Sequence, residues 1–352
     1  MTVSVPAGAP GADVPRAAHA TIDVHTHVVP EHFPRYAGLS AGLPWPSMVP
    51  SHACHRHVMV SDKIYRTVSH QCWDCAVRQQ DMQALRVGRQ VLSPMPELLS
   101  YWFPAADGAA ICRYMNETIA GMVHAAPASF FGLGAVPLQD VDLAIRELDH
   151  AVHTLGLHGV EIGGNINDVV IGNKVFLPFF EAAAAWGAAV FVHPLRPAGL
   201  QRLVGSPALE QVVAFPGEIG LAAASMITGG ILAQVPNLRI AFSHGGGSLQ
   251  ALLPRMQHAW TQLPGMREQF IEPAAAARSM YYDDLVYDAA TIRRLADVFG
   301  SSQLMVGSDY PFSIMDNDPV ARLEACGFGA DAVADLRQRN ALRWLGVTAQ
   351  DA

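Results

Sequence analysis

Thr21-Ile-Asp-Val-His-Thr-His-Val28 reads as a β-strand: β-branched residues run through it and neither glycine nor proline interrupts it. Side chains two apart on a strand share a face, so His25 and His27 can reach one metal ion from a single strand end. Seven more strand-like runs follow at Arg89–Met95, Phe130–Val136, Gly159–Gly163, Ala188–His193, Arg239–His244, Met280–Val286 and Gln303–Gly307. Helical patterns alternate with them at Ala76–Leu85, Ala109–Ala125, Val141–Leu155, Val175–Trp186, Leu209–Leu232, Leu249–Leu263, Ala289–Val298 and Ala332–Leu345. Eight strands, each with its helix, predict an α/β chain closed as a (β/α)8 TIM-type barrel. A doubly wound sheet is the runner-up, but no Gly-rich dinucleotide loop follows any strand.

One stretch breaks the rhythm. Between the first strand and its helix lie about forty residues, Glu31 to Asp74, rich in Pro, Gly and His. A structureless loop of that length does not suit a compact domain. The alternating run His57–Arg66 predicts a small β-containing insertion, over about residues 31–74, sitting above the barrel mouth. Residues 1–20, dominated by Pro, Gly and Ala, read as a flexible lead-in, leaving 21–352 as one barrel domain.

Composition narrows the function classes. Of 352 residues, 51% are hydrophobic and only 15% charged, which excludes a disordered or solvated spacer and suggests a subunit interface. A net charge of −8 argues against nucleic acid as a partner. Mean hydropathy is +0.20, yet the most apolar run, Phe179–Leu195, is broken by Glu181, Gly187 and His193, so no membrane span is expected. The N-terminus lacks the pattern of a secretory signal. The five cysteines form no disulfide framework, and Cys72/Cys75 is a CxxC without a second pair, so a reducing cytoplasm is the expected location.

The chemistry gathers at strand ends. His193 closes the fifth strand, His244 the sixth, and Asp309 follows the eighth, joining His25 and His27 where barrel active sites lie. Three His and one carboxylate suit a catalytic zinc with an open position. Of the five groups, His244 is the candidate proton carrier, because Gly245–Gly247 lets a substrate approach closely. The fourth strand carries Glu161 and no lysine, so a carbamylated-lysine bridge cannot form there. Glu161 could bridge two ions in principle; a single ion is expected.

Taken with Cys72-Trp-Asp-x-x-Val-Arg78, Phe131-Gly-Leu-Gly-Ala-Val-Pro137, Ser225-Met-Ile-x-Gly-Gly230, His244-Gly-Gly-Gly247 and Gly307-Ser-Asp-Tyr-Pro-Phe312, the chain from Asp23 to about Gly346 resembles the amidohydrolase superfamily, and within it the aminocarboxymuconate-semialdehyde decarboxylase type. That resemblance implies a metal at His25, His27, His193 and Asp309, with His244 as acid/base. It implies that Arg66 grips a substrate carboxylate and that Arg255 reaches into the neighbouring subunit of a homodimer. Phe312 and Leu195 are the expected pocket walls. The family reads His-Pro-Trp where this chain has His193-Pro194-Leu195, and an amide where it has Glu161, so reaction type transfers better than substrate. The expectation is a metal-dependent, non-oxidative decarboxylase of a small unsaturated or aromatic acid. Zinc is the expected ion and manganese the alternative. A hydrolase cleaving a C–N or C–C bond of a similar acid would need the same groups.

Overall fold

The computed structural model describes residues 21–35, 40, 42–60 and 62–348, so the lead-in expected over 1–20 lies outside the described residues. Strand β1 (Ile22–Val28) leads into three antiparallel strands, β2 (Ser47–His52), β3 (His55–Val60) and β4 (Lys63–Ser69). The βα alternation then runs α1 (Cys75–Ala84), β5 (Arg89–Pro94), α2 (Ala105–Ala125), β6 (Phe130–Ala135), α3 (Val141–Asp149) and β7 (Gly159–Gly163). A minimal hairpin, β8 (Asn165–Ile166) and β9 (Val169–Val170), precedes α4 (Leu177–Ala185), β10 (Ala189–His193), α5 (Phe215–Thr228), α6 (Ile231–Gln234) and β11 (Arg239–Phe242). Helices α7 (Leu249–Gln262), α8 (Met266–Gln269) and α9 (Pro273–Ala277), strand β12 (Tyr281–Asp283), α10 (Ala289–Phe299), β13 (Leu304–Met305), α11 (Pro319–Glu324), α12 (Ala330–Ala334) and α13 (Asn340–Leu345) complete the chain.

Eight strands pair in parallel in the order β1-β5-β6-β7-β10-β11-β12-β13. The two ends meet: Val24 N–H donates to Val306 O at 2.8 Å, Asp309 N–H to His25 O at 2.9 Å and His27 N–H to Tyr310 O at 2.7 Å. The barrel is closed, as the sequence predicts. The runs at Met280–Val286 and Gln303–Gly307 form only the short β12 and β13. Beyond them the backbone turns to side-chain acceptors: Gly307 N–H donates to Asp284 Oδ1 and Ser308 N–H to Asp23 Oδ1, both at 3.1 Å.

The lower barrel is filled by Ile22, Val24, Val91, Leu133, Phe191 and Met305, and Trp344 from α13 plugs it from below. Phe191 and Trp344 are fully buried, each worth roughly 2–3 kcal/mol of transfer free energy. Arg78, the last residue of the Cys72–Arg78 motif, is also fully buried. Its guanidinium donates to the carbonyls of His27 and Gln71 and to the side chains of Gln90 and Thr26, tying α1 to the end of β1. Glu210–Thr228 is the one helical stretch among the described residues long and apolar enough to cross a membrane, whereas the sequence singled out Phe179–Leu195. Half of it is buried; Ile219, Ala222, Ala223, Met226 and Ile227 face the barrel core. The helix expected over Leu209–Leu232 breaks at Gly229–Gly230, where Gly230 takes a φ of 76° that a side chain would resist.

Candidate active site

The site begins with an irregularity in β1. Asp23 pairs with Gln90 and Thr26 with Leu92, so Val24 and His25 together oppose Val91 alone. This one-residue bulge changes the alternation of the strand. Val24 packs in the barrel interior, and His25 follows it inward, its ring 5.2 Å from that of Phe191. His27, two residues on, shares the face.

Three imidazoles then stand at right angles. Ring centroids of His25 and His27 are 5.1 Å apart at 83°, of His25 and His193 5.2 Å at 85°, and of His27 and His193 5.0 Å at 89°. Each ring has its Nδ1 engaged elsewhere: His25 with Asp283 Oδ2 at 2.7 Å, His27 with Pro94 O at 3.2 Å, His193 with Pro194 O at 2.9 Å. One donor atom from each of His25, His27, His193 and Asp309 falls within 4.8 Å of the others. His25 Nε2, His27 Nε2 and Asp309 Oδ1 are buried without a hydrogen bond, although the last two are 3.1 Å apart. Buried polar atoms left unpaired are costly, and converging ones are the signature of a cation's ligands. The donor set fits a divalent metal.

The electrostatics agree. Burial pushes the Asp309 carboxyl up, but His27 and His25 overcome it and hold it at about 2. Burial depresses His25, yet its bond to Asp283 and the charge of Asp309 raise it to about 9. So much negative charge around one imidazole is a field made for a cation. Burial and the neighbouring His27 and His25 push His193 well below the usual imidazole range.

His244 stands apart from the four. It is half-buried, its ring 5.3 Å from that of His25 and 5.4 Å from that of His193. Its backbone φ of 53° is unusual for a non-glycine residue and aims the ring over the site. Burial and the charge of His25 lower it to about 4, which favours the neutral imidazole.

Glu161 is fully buried, with Ser93 Oγ 2.6 Å from its Oε2. That hydroxyl also lies 3.0 Å from Thr26 O and has one proton to give. Burial pushes the Glu161 carboxyl up to about 8, against the hydrogen bond that Ser93 donates to it.

Above these groups opens a cavity of about 450 Å³, lined by His193, His244, Asp309, Phe215, Arg66 and Phe312 among others. Phe312 stacks on His27 at 5.1 Å and carries the Arg66 guanidinium 4.3 Å above its own ring centroid. The predicted insertion is real: Arg66 reaches the cavity from β4. Two expected residues are not brought there. Leu195 is buried and lines a separate cavity of about 120 Å³ with Tyr101 and Asn165. After Pro194 the chain turns, with Arg196 at a φ of 46° and Leu195 O accepting from Asn165 Nδ2, so Leu195 leaves the face that His193 occupies. Arg255 is exposed on α7 and does not line the cavity of its own chain.

Asp283 is the residue sequence reasoning passed over. It fixes the His25 ring and also accepts from Gly245 N–H at 2.8 Å and Leu285 N–H at 3.1 Å, linking a ligand to the glycine loop of His244. The paired acids Asp283-Asp284 at a strand end were the available signal.

Comparisons with known proteins converge. A family model described as amidohydrolase matches residues 22–347. The 2-amino-3-carboxymuconate-6-semialdehyde decarboxylase of Dictyostelium discoideum is 33% identical over 329 residues, 93% of this chain and 91% of the relative. Among solved structures, Metarhizium anisopliae IDCase in apo form superposes with a TM-score of 0.77 at 21% identity, covering 93% of this chain and 97% of that one. The dihydroxybenzoic acid decarboxylase of Polaromonas, with bound manganese and the inhibitor 2-nitroresorcinol, gives 0.73 at 20% identity over 80% and 89%.

Proposed function

The chain belongs to the amidohydrolase family, and from that premise we propose that it is a metal-dependent, non-oxidative decarboxylase of a small unsaturated or aromatic carboxylic acid. The observation that carries this reading is the convergence of three orthogonal imidazoles and Asp309 below a cavity whose roof holds a guanidinium. His25, His27, His193 and Asp309 would hold the ion. When bound, a divalent metal supplies Lewis acidity at the cavity floor. We take zinc as the resident ion, since three imidazoles and one carboxylate with an open position suit it; the Polaromonas neighbour, which holds manganese, keeps that ion as the alternative.

The residues divide the work. Arg66, supported on Phe312, binds and orients a carboxylate, and the stacked ring fixes the direction of approach. His244, neutral at rest, takes up a proton and delivers it to the carbon that bears the leaving carboxylate. The C–C bond breaks, CO2 departs, and the electron pair left on carbon restores the conjugation of the product. Phe215 and Phe312 line the cavity with apolar surface, in keeping with a flat, unsaturated substrate. With Leu195 lining a separate cavity, its departure from the family's Trp does not bear on the shape of this one.

The partner chain enters through Arg255. We place it in the active site of a second subunit: it is exposed on α7, and Val212, Val213, Leu221 and Leu252 offer an exposed apolar face on and beside α5 and α7. Mixing His244→Ala with Arg255→Ala subunits then restores activity, because one site of each mixed dimer is intact. All five cysteines are free, which supports a cytoplasmic location.

The test is a screen of metal-loaded protein against aminocarboxymuconate semialdehyde and hydroxybenzoates, reading CO2 and ammonia in parallel. CO2 release with one deuterium placed on the product carbon in D2O is expected. His244→Ala is expected to keep its metal and lose activity by roughly 10²-fold or more. Ammonia without CO2 would establish the hydrolase instead.

A further inference from the structure

The β2–β3 hairpin carries a second gathering of metal donors, with no part in the barrel site. Val49 pairs with His57 and Pro50 with Arg56, but the next pair is His52 with His55, so Ser51 is an extra residue. Proline has no N–H for the ladder, and a bulge beside it is a natural break. The bulge sets His52 directly across from His55 at a two-residue turn, Ala53-Cys54. The two imidazole centroids are 4.0 Å apart, and Cys54 Sγ lies 3.1 Å from His55 Nδ1. One donor atom from each of His52, Cys54 and His55 falls within 4.8 Å of the others.

These donors face a polar cavity of about 760 Å³, which His70 and Asp74 also line. Neutral imidazole nitrogens and a thiolate together form a borderline-soft donor set, which selects zinc-like cations over magnesium or calcium.

We propose that the hairpin tip is a second metal site, binding a borderline-soft divalent cation of the Zn2+ type through His52, Cys54 and His55, with solvent completing the coordination. Binding replaces the Cys54 S–H bond by a sulfur–metal bond and releases that proton to solvent. The barrel ligands include no sulfur, so a thiolate spectrum separates this cavity from the barrel site, and Cys54→Ser against Cys75→Ser says which thiol gives it.

The probe is Co2+, titrated into the full-length protein with its barrel metal in place. A thiolate-to-cobalt charge-transfer absorption is expected to grow to one equivalent per chain, on top of the barrel ion counted by elemental analysis. Cys54→Ser should abolish both the band and the added equivalent while the barrel ion stays, which also certifies the fold. His52→Ala, which keeps the thiol, should weaken cobalt binding by at least about 10-fold. The proposal is overturned by a wild type that takes up no added ion, by a His52→Ala variant of unchanged affinity, or by a band that persists in Cys54→Ser and vanishes in Cys75→Ser.

Discussion

Two bulges aim the two halves of the site, and they sit in opposite surroundings. In β1 the extra residue turns His25 into the barrel, where Asp283 holds its Nδ1 at 2.7 Å and Asp309 N–H takes its carbonyl at 2.9 Å. In β4 Val58 pairs with Arg66 and Met59 with Ile64, so Tyr65 is the extra residue and Arg66 is turned toward the cavity. Around His25 the neighbours His27, Phe191, His193, Asp283 and Asp309 are all buried. Around Arg66 the sheet is largely exposed, and Val58 is the fully buried residue of β3. The same backbone device thus serves a closely packed centre in one place and, on the proposed function, a carboxylate grip on a thin, exposed sheet in the other. Chemistry needs geometry held to fractions of an ångström, whereas recognition tolerates, and can exploit, a softer support.

The largest effect expected from breaking the rigid half is at a ligand. Asp309→Ala should lose both the bound ion and CO2 release, with the fold retained because Asp309 itself closes onto β1 through its backbone N–H, which donates to His25 O. Elemental analysis with circular dichroism checks this; retention of a full equivalent of metal at the barrel would remove Asp309 from the ligand set. Asp283→Asn is subtler. It keeps the volume and a hydrogen-bonding group but removes the charge that orients His25, so metal affinity should fall by about 10- to 100-fold. Competition with a chelator measures it, and unchanged affinity would mean that packing alone positions the ring.

Much of the rigid half was legible because polar residues at the ends of buried parallel strands have few other reasons to be there. His25, His27, His193 and Asp309 each interrupt or follow an apolar run, and the eightfold alternation gives those interruptions a common end. What could not be read was register. The bulges at Val24-His25, Ser51 and Tyr65 have no composition of their own and exist only relative to a paired strand. Leu195 illustrates the same limit: the family resemblance set it on the pocket wall, but the strand ends at His193 and the chain turns after Pro194. Asp283 was hidden by a strand predicted as seven residues that stops after three. The convergence of His52, Cys54 and His55 was hidden in the same way, because it depends on a hairpin turn placed by a bulge.

The adaptable half should break by degrees. Arg66→Ala removes a charge-assisted pair to a carboxylate, worth about 1.5–3 kcal/mol, so KM should rise roughly 10- to 100-fold while kcat changes much less. An equal fall in kcat would place Arg66 in the transition state rather than in binding. The smallest change tests the support instead of the grip. Val58 touches no substrate; it is buried beneath the three-stranded sheet as the cross-strand partner of Arg66. Val58→Ala deletes two methyl groups there and should cost about 1–2 kcal/mol of local stability. If a soft sheet positions Arg66, KM should rise by about 2- to 5-fold, hydrogen exchange should quicken in β3 and β4, and the barrel ion should stay bound. If KM is unmoved while exchange quickens, the Phe312 ring alone holds the guanidinium, and the bulge in β4 aims a side chain that needs no sheet behind it.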